Sequence, residues 1–367
     1  MTAEVVDGRS GAEGRAGGRS GADDPRGAGG SRGLLRHGLT KGGGLVVAFG
    51  VLLAAVLLSL LAGTEWFAPR DVYLAAADFT GSDTDRVIRY LRLPRTATGL
   101  MAGAALGLAG ALMQGVTRNA LADPGILGVN AGAAVAVVAA IGVFGVTSLT
   151  GYVWFAMGGA LVATVVVYLV GALGRGGATP VKLALAGAAM SAMLGSVTSA
   201  ATLLDLSTLN EFRFWVVGSL TLATGPIVGQ ALPFVAIGIV LSLVLGRSLN
   251  QLALGEELAT TLGTRVGWVR VLAGVAIMLL AGTATAMAGP IGFVGLAVPH
   301  VARAIVGADY RWILPYSLVL APTLLLVADV IGRLVVRPDE LQVGIITALV
   351  GAPLFIALVR RQRLAEL

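Results

Sequence analysis

The chain has no cysteine, only 2 histidines and little charge: Asp, Glu, Lys and Arg together make up 13% of its 367 residues. Each shortage excludes a class of chemistry. Without cysteine there is no disulfide framework, no thiolate metal site and no cysteine nucleophile. His37 and His300 are too few and too far apart for a histidine metal cluster, so no metal ligands are expected. Nucleotide-binding loops are missing as well. No G-x-x-x-x-G-K-[ST] occurs, and Lys41-Gly42-Gly43-Gly44 has the wrong order, which closes the P-loop route to ATP hydrolysis. No G-x-S-x-G, H-E-x-x-H or paired-carboxylate motif appears, and polar groups at membrane depth are few: Gln114, Asn130, His300 and Asp329. Catalysis is disfavoured.

What the chain does have is apolar sequence. Hydrophobic residues reach 56% and mean hydropathy is +0.87, whereas soluble domains carry about 25% charge. A water-soluble core could not absorb this, so the chain reads as an all-α integral membrane protein. Residues 1–41 differ: Gly, Arg, Ser, Asp and Ala, with Gly8-Arg9-Ser10-Gly11-Ala12 recurring as Gly18-Arg19-Ser20-Gly21-Ala22. Such a segment cannot form a core and is expected to be a disordered tail rather than a signal peptide.

From 42 to 367 the sequence reads as one transmembrane domain. Apolar spans fall at 45–62, 97–116, 126–146, 152–173 and 183–204. The run 216–245 is too long for one crossing and is broken at Pro226, giving a short partial helix and a span from about Ile227. Further spans lie at 271–288, 291–306, 313–331 and 343–359, making ten crossings with both termini on one side. With that side cytoplasmic, inside loops carry Arg118, Arg175, Lys182, Arg247, Arg265, Arg270, Arg303, Arg311, Arg360, Arg361 and Arg363. This obeys the positive-inside rule, and it makes the net charge of +6 a matter of topology. The first outside loop is the exception, with Arg70, Arg86, Arg89, Arg92 and Arg95. Something other than topology must justify arginines there.

The stretch 92–133 joins that exceptional loop, through a proline-kinked start and a small-residue span, to a polar hairpin on the opposite face. Gly103 and Gly107 form a GxxxG that suits close helix packing. Pro124-Gly125-Ile126-Leu127-Gly128-Val129 resembles Pro290-Ile291-Gly292-Phe293-Val294-Gly295 at the start of a span of opposite sense. That hints at an inverted repeat relating spans two to five with seven to ten. The inside loop 249–263 predicts an amphipathic surface helix, with Leu254, Leu258 and Leu262 at i, i+4 and i+8 beside Glu256 and Glu257. Adjacent glutamates disfavour an anionic leaflet and favour a groove on a cytoplasmic partner.

Five motifs occur in order: R-L-P-R, Q-x-x-x-R-N-x-L-A-x-P-x-x-L-G, G-E-E-x-A-x-x-L-G, G-P-I-G-F-V-G-L-x-x-P-H and A-D-x-x-x-R. In these, residues 43–363 resemble the FecCD family, permease subunits of type II ABC importers for ferric siderophores, haem and cobalamin. The resemblance implies a multi-pass plasma-membrane permease with a second permease subunit, two cytoplasmic ATPase subunits that use ATP and Mg, and an extracytoplasmic binding protein. It implies no cofactor on this chain. Ferric siderophores are the expected substrate, with haem and cobalamin open; a gradient-driven secondary transporter is the reading from another class. Carried over by motif, Gly255, Glu256 and Glu257 would couple to the ATPase. Arg92, Arg95 and Arg333 would receive glutamates of the binding protein, unless the first two merely snorkel at a helix end. Asn119 and Leu121 would form the cytoplasmic gate, although Ala120 stands where the family has proline, and an ordinary turn stays open. Asp329, one turn before Arg333, would orient it, and His300 would be structural rather than a haem ligand.

Overall fold

The computed structural model describes residues 34, 38–146, 148–173, 179–222 and 224–365. Most of the expected tail, His37 and Arg175 lie outside the described residues, while 38–41 form the first turn of a helix. In chain order the helices are α1 (Gly38–Leu61), α2 (Pro69–Ala77), α3 (Asp83–Arg86), α4 (Leu93–Thr117), α5 (Val129–Gly142), α6 (Leu149–Ala172), α7 (Pro180–Leu204), α8 (Leu206–Val216), α9 (Gly225–Ala253), α10 (Glu256–Thr261), α11 (Val266–Ala288), α12 (Val294–Val306), α13 (Tyr310–Val335) and α14 (Val343–Ala365). The described residues contain no strand. By length and composition, α1, α4, α6, α7, α9, α11 and α13 can cross a membrane; α5, α12 and the first part of α14 are shorter apolar helices. Every span read from the sequence is therefore helical.

Two spans are shorter than expected, for the same reason. A 3₁₀ turn at Pro124–Leu127 and a left-handed Gly128 (φ 76°) precede the 14 residues of α5. A left-handed Phe293 (φ 67°) precedes the 13 residues of α12. At about 1.5 Å per residue neither covers the roughly 30 Å of hydrocarbon. The sequence likeness at Pro124 and Pro290 thus marks two half-length helices, each begun by a break in the backbone. Around Pro226 the expected break holds, with the span starting at Gly225, but the short helix before it is only a 3₁₀ turn, Leu220–Leu222. Proline sits in the first turn of α9, where its missing N–H is harmless, and the extra helix is α8, N-capped by Asp205 upstream of the expected break. Ahead of α4, residues Val87–Arg92 form a π-helix, with the Leu93 N–H bonded to the Ile88 carbonyl. Pro94 cannot donate to the preceding turn, and the wide turn accommodates this.

Packing relates the two halves by exchange. α4 and α11 pack on each other at the centre; α4 is flanked by α12 and α13 of the second half, and α11 by α5 and α6 of the first. Glycines set the approach. A Cβ on Gly103 would lie 2.5 Å from the Pro322 Cα, and one on Gly110 would lie 1.8 Å from the Gly295 carbonyl oxygen. The expected GxxxG therefore faces α13, one more glycine faces α12, and no larger side chain fits either crossing.

Candidate functional site

Polar side chains gather at both ends of the α4 bundle. At the R-L-P-R end they solve a capping problem. The last four carbonyls of α1 have no partner within the helix. Leu58 and Leu61 accept from the N–H groups of Ala62 and Phe67. Ser59 accepts from Arg333 Nη1 at 2.9 Å and Leu60 from Arg92 Nη1 at 2.8 Å. Arg333 also donates to the Ala62 carbonyl at 2.6 Å, Arg92 to that of Glu65 at 2.5 Å, and Arg337 to that of Gly63 at 2.8 Å. Guanidiniums at a helix C-terminus also meet the negative end of its dipole. Arg92 further lies 4.3 Å from the centre of the Phe67 ring.

Of the three residues carried over for docking, two are turned inward in this structure. Arg92 and Arg333 are 7% and 2% exposed, and their donors are committed to carbonyls of α1 and its following loop. They do not present charge to an incoming protein. Asp329 does stand by Arg333, at 3.0 Å, and also accepts a forked pair of bonds from Arg95 (Nη2 at 2.8 Å, Nε at 3.0 Å). Arg95 reaches the edge of the cluster, where Nη1 meets the partly exposed Glu340 at 2.7 Å. Sequence reasoning found Arg92, Arg95, Asp329 and Arg333 but not the α1 acceptors of Arg92 and Arg333, because backbone carbonyls carry no sequence signal.

At the opposite end, α4 closes on Arg118 in the left-handed region (φ 52°). The following hairpin is held without proline: the Asn119 side chain accepts from the Leu121 N–H at 2.9 Å, and the Asn119 carbonyl accepts from the Ala122 N–H at 3.2 Å. Asn119 lines an open cleft of about 840 Å³ with Met113, Thr117, Ile126, Val181 and Leu185, between α4 and the start of α7. Leu121 is half-buried beside it and is not part of the lining. Asp123 caps the 3₁₀ turn, accepting from the Gly125 N–H at 2.8 Å, and burial pushes its carboxyl above the usual range. Gln114, 1% exposed, donates to the Leu296 carbonyl at 3.2 Å and accepts from Arg303 at 3.2 Å, tying α4 to α12. The His300 Nδ1 is buried with no hydrogen-bond partner, beside a small void lined by Leu296, Gly351 and Phe355.

The expected surface helix is present only as the six residues of α10: Leu258 lies within it, whereas Leu254 caps α9 before the break at Gly255 and Leu262 caps α10. Leu254, Leu258 and Leu262 stand 61%, 56% and 57% exposed, while Ala259 is buried beneath them. Glu257 is exposed beside these leucines. Glu256 is paired with Arg270 of α11 and lies 3.9 Å from Arg118. Gly255 does not cap α10 through a side chain; at φ 109° it takes a conformation that only glycine adopts easily.

Residues 51–361 match the model of the FecCD transport family. The chain belongs to that family. It is 47% identical over 313 residues to the ferric enterobactin transport system permease protein FepD of Escherichia coli K12, covering 85% of this chain and 93% of that one. It is 39% identical over 307 residues to the cobalamin import system permease protein BtuC of Halobacterium salinarum, covering 83% and 82%. Among solved structures it resembles an inward-facing metal-chelate type ABC transporter, with a TM-score of 0.77, 29% identity and coverage of 87% of this chain and 99% of that one. A FecCD member is a membrane transport subunit, and the helical architecture agrees with that of its solved relative.

Proposed function

We propose that this FecCD protein is the permease subunit of an ATP-driven plasma-membrane importer for ferric siderophores, with both termini cytoplasmic. It works with a second permease subunit, two ATPase subunits and an extracytoplasmic binding protein. The observation that carries the reading is α10: exposed Leu258 with exposed Leu254 and Leu262 at its two ends, beside Glu257, in a chain with no nucleotide-binding loop. An apolar edge standing off the bundle needs a groove to cover it, and an ATPase subunit supplies both the groove and the energy. The exposed small-residue face of α7, with Ala188, Ala192, Ser196 and Ala200, suits close approach of a second permease across the pathway. A binding protein would meet the opposite rim, where Arg95 and Glu340 are the reachable members of the charge cluster.

Three observations favour import over a gradient-driven carrier. The best-buried intramembrane carboxylate, Asp329, is already committed to two arginines. The cleft wall is built from Met, Thr, Ala, Val and Leu, which suits a wide and weakly selective path. The chain also covers most of a ferric enterobactin permease's length. The test is uptake into proteoliposomes holding the chain with its ATPase and binding protein. ATP-dependent, vanadate-sensitive uptake of ferric enterobactin is expected. Gradient-driven uptake by the purified chain alone would refute the importer reading; uptake of cyanocobalamin but not ferric enterobactin would move the substrate to corrinoids.

A further inference from the structure

The adjacent glutamates of α10 face different ways. Glu257 is exposed and makes no ion pair among the described residues. Glu256 turns its carboxylate toward the bundle, where one oxygen, Oε1, pairs with Nη2 of Arg270 and lies 3.9 Å from Nη2 of Arg118. Those two arginines belong to separate elements. Arg118 is the left-handed cap that starts the hairpin of Asn119 and Leu121. Arg270 is in the second turn of α11 and lines a small pocket that shares Met113 and Thr117 with the Asn119 cleft. Three elements thus converge on a single carboxylate oxygen.

α10 is also built to move as a unit. Gly255 (φ 109°) and Gly263 (φ 85°) bracket it, both in the left-handed half of the map, and neither has a neighbour within 4 Å of where a Cβ would sit. Conformational freedom with open space at both ends is what a hinge requires, and hinge positions lie at element ends. Between the hinges, buried Ala259 seats the helix, and beyond them the Thr264 hydroxyl donates to Gln251 Oε1 (2.5 Å), joining the two flanks.

We infer that Glu256 is the link through which displacement of α10 reaches the α4 hairpin and α11. Resting on the reading of α10 as the ATPase contact and of the hairpin as the gate, it adds the connection between them. Glu257 and the three leucines meet the partner, while Glu256 passes the movement inward. A carboxylate serving only to neutralise Arg270 would have no reason to lie between two cations on different elements. Glu256, Arg118 and Arg270 are positioning residues; none of them contacts substrate.

Because the chain has no cysteine, Leu121→Cys places its single thiol on the hairpin. In the assembled transporter, the rate at which a water-soluble maleimide labels this chain is measured without nucleotide and with ATP plus vanadate. The parent rate should change by at least about fivefold, the lower end of ordinary coupling energies. Arg270→Gln should abolish that change while the ATPase still co-purifies. Glu256→Gln should do the same, the double variant no more, and Arg270→Lys should restore part of the response. A purely structural role would lower stability without erasing the nucleotide response of complexes that still form. If Arg270→Gln and Glu256→Gln both keep the parental response, the link is refuted and the docking reading stands. If Leu258→Asp leaves the ATPase bound, or the parent thiol ignores nucleotide, the underlying reading fails and the link with it.

Discussion

Replacing Asp329 by Asn tests whether charge balance holds the R-L-P-R end together. The substitution keeps shape and removes the one anion lying between Arg95 Nη2 at 2.8 Å and Arg333 Nη2 at 3.0 Å. With Asp329 1% and Arg333 2% exposed, water cannot replace the carboxylate. Arg95 retains Glu340, but Arg333 keeps only neutral acceptors: the Ser59 and Ala62 carbonyls and the Ser59 hydroxyl. Breaking one side of a buried pair costs about 3–5 kcal/mol. At about 2–4 °C per kcal/mol for larger domains, Tm should fall by about 6–20 °C. Arg333→Met should cost a similar amount, since it strips the end of α1 of two bonds. Removing both residues leaves Arg95 and Glu340 in balance, so the double variant should lose less than the sum by about 1–3 kcal/mol. Thermal unfolding in lipid nanodiscs, followed through the 5 tryptophans, reads all four corners of the cycle. Strictly additive losses, or an Asp329→Asn cost below about 1 kcal/mol, would refute the argument.

Gly110→Ala should destabilise by about 1–3 kcal/mol or more, because its Cβ would lie 1.8 Å from a backbone oxygen of α12. Gly195→Ala on the open face of α7, with nothing within 4 Å, should instead stabilise by up to about 1 kcal/mol; denaturation of the two variants side by side checks the contrast. Burial raises the Asp123 carboxyl, so the folded chain holds that proton more tightly than the unfolded chain and loses stability as pH rises through the folded pKa. Asp123→Asn should therefore raise Tm relative to the parent at pH values where the parent must lose that proton, with the gain shrinking as the pH is lowered. A gain independent of pH would count against this.

Hydrophobic run length made the spans legible, since hydrocarbon thickness leaves the chain little choice. The leucines at 254, 258 and 262 likewise marked the region of α10, although only Leu258 lies within that helix, because Gly255 breaks the helical period after Leu254. Two kinds of feature stayed hidden. The half-length of α5 and α12 depends on single left-handed residues, and Phe293 gives no hint of adopting φ 67°. The arginines of the first outside loop looked anomalous by charge counting alone. For Arg92 the reason lies in an unpaired carbonyl of α1, more than 30 positions away in sequence. A charge that breaks a topology rule can be satisfying a backbone, and only the folded chain shows whose backbone it is. The i, i+4 spacing points to Asp329 as a partner of Arg333, but its fork with Arg95 crosses 234 positions and carries no sequence signal, and Glu340 has no motif to mark it.

The exchange packing of α4 also dictates an order of events during synthesis. α4 is made early, yet the surfaces that cover Gly103 and Gly110, at Pro322 and Gly295, belong to the far end of the chain. At about 5–20 residues per second, the ribosome takes on the order of 10–40 s to supply them. Through that interval α4 waits in the bilayer with its glycine face against lipid. A leucine-rich face would gain nothing from lipid either way, but a smooth, small-residue face can wait without binding the wrong helix tightly and still admit the right one closely. The glycines that look like a packing device in the finished protein thus also keep an early helix uncommitted until its partners are made.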